Sequence, residues 1–357
     1  MRIVFVTRRY PPSIGGIQTF AFHLQREMAK RHPVRLIALR ADHPIHLAWF
    51  APLATLRVIT SLARGADVVY FADGVIASLA PILRPFRRNA RFVATVHGLE
   101  ATYSNRLVRR VIKAGLKRCD TLIAASENTR HLMMQAGFSP KCSRVIYCGV
   151  EPPTLDPAAE QRIREQFVAR TGIRLGTAPV LLNIGRQVKR KGLAEFLTDV
   201  LPNLAPTPDV VICGTGPEHA RLQEIAAASP HRERIHLVGR TDDATTTMLR
   251  RACSLFVMPN ISVDGDAEGF GIAPLEAMYY GLPVVGFGVD ALPESLREGA
   301  WLIPAGDPVA FADCINRALS APVAEQSAKR EEARAYVSRE YGWADVADRY
   351  LEAFPTD

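Results

Sequence analysis

Two glutamates eight residues apart, Glu268 and Glu276, lie in the stretch GDAEGFGIAPLEAMYYGLPVVGF. Pro274 suits the first turn of a helix, Gly281 its C-cap and Pro283 the stop beyond it. Glu268 then falls in the loop before the helix, and Glu276 falls inside it. The unpaired amides at the start of such a helix attract anionic groups of a ligand. The pattern therefore predicts a polar binding site that also contains the two carboxylates.

A basic cluster follows an apolar, strand-like run in LLNIGRQVKRKG, with Arg186, Lys189, Arg190 and Lys191 within six residues. A guanidinium group binds phosphate oxygens as a fork and an ammonium group as a point charge, so the cluster suits a diphosphate. A solvated basic turn is the alternative. The position between a strand and a helix favours the phosphate site.

Glycines occupy two further loops of this kind. Gly15 and Gly16, in YPPSIGGIQ, precede the amphipathic pattern GIQTFAFHLQREMAKR, and Gly214 lies in CGTGPE after another apolar run. Glycine lets the backbone approach a phosphate closely. The dinucleotide fingerprint G-x-G-x-x-G is absent, and a helix-start turn without a ligand is the alternative.

A histidine and a glutamate, His97 and Glu100, follow the strand-like run RFVATV in ATVHGLEAT. A histidine at the end of a strand can donate to a sugar hydroxyl or to a phosphate. A purely structural histidine is equally compatible with the sequence.

The elements that position these residues follow one alternating pattern of apolar strand-like runs and helical segments. The first series is RIVFVT, VRLIAL, DVVYF, RFVATVH, TLIAAS and SRVIYCGV, and after the turn-rich GVEPPTLDP the second is VLLNIG, DVVICGTG, RIHLVGR, CSLFVMPN, LPVVGF and AWLIPA. Such alternation predicts parallel sheets covered on both faces. We therefore predict two Rossmann-like domains, residues 1–150 and 151–339, with one more amphipathic helix within residues 340–357. Ligands of such sheets bind outside the carboxyl ends of the strands.

Charge divides the chain in the same place. The net charge is +8, but residues 1–150 hold 23 Lys and Arg against 7 Asp and Glu, which leaves −8 for the remainder. A basic half suits nucleic acid or an anionic membrane surface. No apolar run is long enough to span a membrane, no signal peptide is evident, and the six cysteines form no C-x-x-C pair. We expect a cytoplasmic protein with reduced thiols and no metal site.

The motifs together resemble those of retaining GT-B glycosyltransferases of family 4, also called group 1. E-G-F-G-x-x-x-x-E followed by A-M-x-x-G-x-P-V-V is similar to the hallmark of that family. YPPSIGGIQ resembles its N-terminal glycine loop, HGLE its histidine segment, GRQVKRKG its diphosphate-binding pair and CGTGPE its G-x-G-P turn. The first loop and HGLE are particularly similar to phosphatidylinositol mannoside mannosyltransferases.

The resemblance implies an α/β fold of the GT-B type, with two Rossmann-like domains facing a central cleft. EYGWADVADRYLEAF resembles the closing helix, which in the family crosses back to the first domain.

The resemblance also implies roles for individual residues. Arg186 and Lys191 would neutralise the leaving diphosphate, Glu276 would accept from the ribose hydroxyls, and Glu268 would hold hydroxyls of the transferred sugar. His97 would touch the sugar and its phosphate, so that Arg186, Lys191, Glu268 and His97 are the expected catalytic residues. The remaining expected contacts are Gly15, Gly16, Gly214, Val238, Arg240, Gly269, Phe270 and Gly271 on the donor, and Gln18 and Glu100 on the acceptor side.

By this resemblance the chain is a hexosyltransferase that moves a sugar from GDP-mannose or a UDP-sugar to a hydroxyl of a lipid-linked or glycan acceptor, in glycolipid or cell-surface polysaccharide synthesis. We expect Arg186 and Lys191 to take the place of a divalent ion, so that no metal ion is needed, and we expect no cofactor, because the donor is a substrate. The basic half is expected to dock on an anionic membrane face from the cytoplasm.

Four alternatives remain open on the sequence. A nucleotide-sugar epimerase shares the architecture, and a transferase could act on a small soluble acceptor. A glycosidase uses two carboxylates but needs no diphosphate pair. A nucleic-acid-binding protein explains the basic half but not the glutamate pair, and no recognised binding motif is present, so we predict no nucleic-acid partner.

Overall fold

A computed structural model describes residues 1–13, 15–41, 43–87, 89–98, 105–138, 143–151, 153–173, 175–264, 266, 268 and 270–354. The chain forms two compact units, Met1–Gly149 with Tyr341–Asp357, and Val150–Glu340. Within the described ranges each unit contains a six-stranded sheet whose neighbouring strands are all parallel. The predicted α/β fold with two parallel sheets is confirmed.

The first sheet has the strand order β2-β1-β3-β4-β5-β6. Its strands are β1 Ile3–Thr7, β2 Val34–Ala38, β3 Val68–Phe71, β4 Arg91–Val96, β5 Thr121–Ala124 and β6 Ser143–Val145. Every residue of β1, β3 and β5 is buried, which is the pattern of strands covered on both faces.

Helices of the first unit cover this sheet. They are α1 Gly16–Arg31, α2 Leu47–Ala63, α3 Ala80–Leu83, α4 Arg106–Leu116 and α5 Glu127–Gln135, with short 3-10 turns at Pro44–His46, Ile76–Leu79 and Arg84–Phe86. Polar side chains cap the N-termini of α4 and α5. Asn105 accepts a hydrogen bond from the Leu107 amide at 2.9 Å, and Ser126 accepts one from the Thr129 amide at 3.0 Å.

The second sheet has the order β12-β11-β10-β7-β8-β9. Its strands are β7 Val180–Ile184, β8 Asp209–Cys213, β9 Ile235–Gly239, β10 Leu255–Met258, β11 Val284–Phe287 and β12 Trp301–Ile303. The chain adds β8 and β9 on one side of β7 and then crosses to add β10 on the other side. The point between β7 and β10 is therefore the topological switch point, where ligands of open α/β sheets bind.

Helices of the second unit alternate with these strands. They are α6 Pro157–Thr171, α7 Leu193–Glu195, α8 His219–Ala228, α9 Asp243–Ala252, α10 Ile272–Tyr279, α11 Leu292–Leu296, α12 Pro308–Ser320 and α13 Val323–Tyr341. α7 continues as a π-helical turn over Phe196–Val200 and a 3-10 turn over Leu201–Asn203. Other 3-10 turns are Lys189–Lys191, Arg232–Arg234 and Arg297–Gly299.

The last helix, α14 Trp343–Glu352, packs on α1 of the first unit. Trp343 stacks on His23 with ring centroids 5.2 Å apart and also meets Phe20 at 6.0 Å. A Cβ atom at Gly149 would lie 2.4 Å from the Trp343 ring, so this close approach requires glycine. The return of the final helix to the first unit agrees with the fold that the resemblance implied.

Among the described helices, none combines the length and the apolar character needed to cross a bilayer.

Candidate active site

The chain leaves β7 through a turn that is held against the segment after β10. The 3-10 turn Lys189–Lys191 ends at Gly192, whose φ of 60° is left-handed. A Cβ atom there would lie 1.9 Å from the Pro259 carbonyl oxygen, so only glycine permits this approach. The Ile261 amide donates to the Arg190 carbonyl at 2.9 Å. These contacts join the two sides of the switch point.

A buried ion pair, Lys191 with Glu268, lies at this junction. Lys191 Nζ and Arg190 Nη1 each donate to Glu268 Oε2 at 2.6 Å, and Asn260 Nδ2 donates to the same oxygen at 3.1 Å. Only 6% of Lys191 and 8% of Glu268 is exposed. The Glu268 amide donates to Asp290 Oδ2 at 2.9 Å and so fixes the backbone that presents the carboxylate.

Burial and charge act on this pair in opposite directions. Burial lowers the pKa of Lys191, and attraction to Glu268 opposes that shift. Burial also raises the pKa of Glu268, but Lys191 and Arg190 together outweigh it and hold that pKa below its ordinary value. Glu268 is therefore an ionised acceptor at neutral pH.

Arg186 presents a cation to solvent from the same turn. It is exposed, and its guanidinium group has neither a hydrogen bond nor an ion pair among the described residues. An exposed guanidinium at the carboxyl end of a central strand is available to an anionic ligand.

The loop after β8 packs directly on the loop after β7. A Cβ atom at Gly214, whose φ is 120°, would lie 2.0 Å from the Gly185 carbonyl oxygen, and one at Gly216 would lie 2.2 Å from the Gln187 carbonyl oxygen. The fully buried Gln187 side chain donates to the Gly214 carbonyl at 2.9 Å and meets His219 Nδ1 at 2.6 Å. The sequence prediction missed Gln187, because its contact with Gly214 depends on β8 lying beside β7.

The second glutamate of the motif, Glu276, lies inside α10 and forms an ion pair with an arginine. Arg250, on α9, donates through Nη2 to Glu276 Oε2. Burial raises the pKa of Glu276, and the charge of Arg250 opposes this rise. Arg250 is itself 6% exposed, and its Nε is buried without a hydrogen-bond partner among the described residues. The sequence prediction missed Arg250, because the pairing depends on how α9 packs beside α10.

The other expected donor contacts of the second unit lie around this edge. Gly271, with a φ of 79°, is the N-cap of α10, and Phe270 is buried. Val238 is half-buried in β9, and the exposed Arg240 follows that strand. Gly269 lies outside the described residues.

In the first unit, Gly15 and Gly16 begin α1 as predicted. Gly16 is the first residue of the helix, and a Cβ atom at Gly15 would lie 2.7 Å from Gln18 Oε1. Gln18 is 6% exposed, so its amide covers the glycine loop.

His97 follows β4 at the carboxyl edge of the first sheet. Its Nε2 lies 3.0 Å from the Ala72 carbonyl oxygen, at the end of β3, and its ring meets Phe20 of α1 edge-on at 5.1 Å. The imidazole is thus positioned by a strand end and a helix. Glu100 lies outside the described residues.

No cluster of three or more His, Cys, Asp or Glu side chains in the described part of the chain is placed to hold a metal ion.

Two protein-family models match this chain. Residues 14–153 match Glycosyltransferase Family 4, and residues 167–337 match Glycosyl transferases group 1. The chain belongs to this family of glycosyltransferases, which confirms the resemblance seen in the motifs.

Relatives in sequence support the same assignment. The chain is 28% identical to the GDP-mannose-dependent alpha-(1-6)-phosphatidylinositol monomannoside mannosyltransferase of Mycolicibacterium smegmatis, over 83% of each chain. It is 24% identical to the alpha-maltose-1-phosphate synthase of the same organism, over 99% of each chain.

Solved structures share the fold. Anabaena HepE in complex with UDP matches with a TM-score of 0.74 at 20% identity, over 99% of each chain. The catalytic domain of starch synthase IV from Arabidopsis thaliana, bound to ADP and acarbose, matches with a TM-score of 0.78 at 16% identity, over 99% of this chain and 98% of that one. The predicted GT-B fold is confirmed, and the roles of individual residues stay predictions.

Proposed function

We propose that the protein transfers a hexose, with retention, from a nucleotide-diphosphate sugar to a hydroxyl of a lipid-linked or glycan acceptor. GDP-mannose is the first donor to test and a UDP-sugar the second. The observation that carries the proposal is the buried ion pair of Lys191 with Glu268 at the switch point, with the exposed Arg186 in the same loop after β7. The mannosyltransferase relatives favour the donor and the lipid-linked acceptor.

The charges of this group suit the chemistry of glycosyl transfer. Breaking the anomeric C–O bond develops positive charge on the sugar and negative charge on the departing diphosphate. Arg186 is available to the diphosphate, and Lys191 can share its ammonium group between Glu268 and a phosphate oxygen. Fixed cations at that place stabilise the transition state. They also supply the charge that a divalent ion would otherwise provide, so we propose that transfer needs no metal.

Glu268 acts in this proposal as an acceptor for sugar hydroxyls. Its Oε2 is held by two cations and an amide, which lowers its strength as a nucleophile. Attack by the acceptor from the same face as the leaving group, with the leaving phosphate taking the acceptor's proton, therefore explains retention better than a glycosyl-enzyme intermediate.

The other site residues have the following roles in this proposal. Glu276 accepts from the ribose hydroxyls, while Val238 and Arg240 lie where the base is bound. In this proposal Gly15 and Gly16 present amides to the donor phosphate and His97 touches the sugar, while Gln18 and Glu100 are the proposed acceptor-side residues.

The test is product analysis with purified protein, GDP-mannose or UDP-glucose, and a phosphatidylinositol acceptor in mixed micelles. We expect nucleoside diphosphate release that depends on the acceptor, an axial product linkage by the anomeric NMR coupling, and full activity in excess EDTA. A sugar isomerised without acceptor would instead establish an epimerase, and release with a soluble sugar alone would establish a soluble acceptor.

We also propose that the first unit docks on an anionic membrane from the cytoplasmic side. This unit holds 24 Lys and Arg residues against 11 Asp and Glu, whereas the second holds 20 against 25. It also exposes large apolar side chains: Trp49, Leu56, Phe86 and Leu107 are each more than half exposed. Each basic residue near such a surface contributes about 1 kcal/mol. Sedimentation with anionic but not zwitterionic liposomes, weakened by salt, is the expected result.

A further inference from the structure

The first unit contains a cavity of about 460 Å³ between α4 and α5. Its apolar depth is formed by Val96, Ile112, Leu116 and Met133, each at most 2% exposed. Leu132 and Phe138 extend the apolar lining toward the surface. The volume lies within the roughly 300–1,000 Å³ of small-molecule sites, and an apolar lining of this kind suits a hydrocarbon ligand.

The mouth of the cavity is cationic. Arg106, Arg109, Arg110 and Lys113 line it from α4, and their spacing places them along one side of that helix. Lys113 is engaged, because its Nζ donates to the Ala136 carbonyl at 2.5 Å. The guanidinium groups of these three arginines form no hydrogen bond or ion pair with any residue that the structure describes. No carboxylate is among the described residues that line the cavity.

This arrangement differs from that of other arginines in the same unit. Arg8 pairs with Asp73 at 3.0 Å and Arg84 pairs with Asp120 at 2.8 Å. Three guanidinium groups that have no carboxylate partner among the described residues lie at one apolar opening. They are therefore a site for an external anion, since guanidinium groups bind phosphate in fork geometry.

We propose that this cavity holds the hydrocarbon chain of an anionic phospholipid whose phosphate is bound by Arg106, Arg109 and Arg110. A free phosphate or sugar phosphate would use the mouth but leave the apolar depth empty, and a neutral lipid would leave the guanidinium groups unpaired. The ligand that satisfies both parts carries a chain and an anion together.

The position of the cavity connects the lipid with the reaction. Val96 ends β4 and lines the cavity, and His97 is the next residue. The identification of the bound lipid as the acceptor rests on the proposed function. The binding itself does not depend on transfer and can be measured without any donor.

The experiment is calorimetric titration of the full chain with dodecyl phosphate below its micelle concentration. Dodecyl maltoside, with the same chain and no charge, and inorganic phosphate, with no chain, are the comparison probes. We expect one-to-one binding of dodecyl phosphate that is at least tenfold tighter than binding of either comparison probe. Equal binding of inorganic phosphate would show a soluble-anion site and overturn the proposal.

Two variants test the two parts of the site. Arg109→Gln combined with Arg110→Gln should weaken dodecyl phosphate binding at least tenfold, and Leu132→Trp should weaken it by filling the cavity. The matched controls are Arg57→Gln combined with Arg64→Gln, two exposed arginines of α2 and its end that do not line the cavity, and Leu107→Trp, an exposed position of α4. Equal losses in the controls would overturn the assignment.

The same variants separate this proposal from the proposed function. Calorimetry with GDP or UDP should give unchanged affinities in all of them, since the donor residues are untouched. Transfer activity without dodecyl phosphate binding would refute the lipid site alone. Dodecyl phosphate binding in a protein that turns over no nucleotide sugar would refute the transferase proposal alone.

Discussion

One carboxylate oxygen of Glu268 receives hydrogen bonds from Lys191, Arg190 and Asn260 at the switch point of the second sheet. This sharing means that Lys191 has a structural partner as well as a proposed ligand. The guanidinium group of Arg186 is exposed and has no partner among the described residues, so Arg186 has no such second role. The two cations can therefore be separated by experiment.

Arg186→Ala should lower turnover by roughly 10²–10³ and leave the melting temperature unchanged, because in the proposed mechanism its charge stabilises the departing diphosphate and its guanidinium group supports no other described residue. Lys191→Ala should lower turnover similarly but also destabilise the fold by about 1–3 kcal/mol, because it leaves a buried carboxylate short of a partner. Steady-state kinetics at saturating donor, with calorimetric melting, measure both effects. Near-normal turnover in both variants would contradict the diphosphate assignment.

Arg250→Met should weaken nucleoside diphosphate binding about 10- to 100-fold, because Glu276, the proposed acceptor for the ribose hydroxyls, loses the charged hydrogen-bond partner that positions it. Burial already raises the pKa of Glu276, and removing Arg250 takes away the charge that opposes this rise. Glu276 then accepts a proton at higher pH, so binding should weaken further as the pH falls. Titration calorimetry across the acidic range measures this dependence.

The control for this prediction is the neighbouring residue of the same helix. Arg251 also forms an ion pair, at 2.7 Å with Glu160 of α6, and Arg251→Met should leave diphosphate binding and its pH profile as in the wild type. Arg250→Met combined with Glu276→Ala should lose no more affinity than Glu276→Ala alone, since coupled residues are not additive. Additive losses would mean that Arg250 acts independently of Glu276.

The sequence reveals those site residues whose signal is local. Glu268, Glu276, Arg186 and Lys191 are recognisable because each lies within a short motif beside a predicted strand end. The partners Arg250 and Gln187 are not, because their contacts depend on which strands and helices become neighbours. Gln187, for example, reaches the Gly214 carbonyl only through the position of β8 next to β7.

At the scale of elements, the loops after β7 and β8 form one unit that depends on glycine. Gly214→Ala should disrupt both loops, since the new methyl carbon would lie 2.0 Å from the Gly185 carbonyl oxygen. We expect a clear fall in melting temperature and loss of diphosphate binding. Gly239→Ala is the matched control: its φ of 69° is also left-handed, but a Cβ atom there meets nothing within 4 Å. It should cost only about 1–2 kcal/mol of backbone strain.

If Gly239→Ala impaired diphosphate binding as much as Gly214→Ala, the backbone contact between the two loops would not be the cause. Thermal unfolding and calorimetry on both variants decide this.

The order of elements was predictable because apolar runs of strand length alternate with helical segments in both halves. The order of strands within each sheet was not, because every parallel strand here has a similar apolar sequence. The crossing from β9 to β10, which creates the switch point, leaves no mark in the sequence around it. The sequence therefore predicts strand ends as candidate sites but does not say which two of them meet.

At the scale of the whole molecule, the chain ends in the unit where it began. Trp343 and Tyr350 of α14, with Phe354 just after it, form an aromatic cluster with Phe20 of α1 and Tyr70 of β3. The first unit is thus completed only after the second unit has been synthesised. Its stability depends on residues nearly 200 positions away from the rest of its sequence.

Trp343→Ala should therefore destabilise the first unit selectively. Trp343 is 4% exposed and packs between His23, Phe20 and Gly149, so truncation should cost about 3–5 kcal/mol. Trp49→Ala is the control in the same unit, because Trp49 is 52% exposed and should cost little. In scanning calorimetry we expect the Trp343 variant to unfold its first unit at lower temperature while GDP or UDP still raises the melting temperature of the second. A single transition that shifts as a whole would show instead that the two units unfold together, and the destabilisation would then belong to the entire chain.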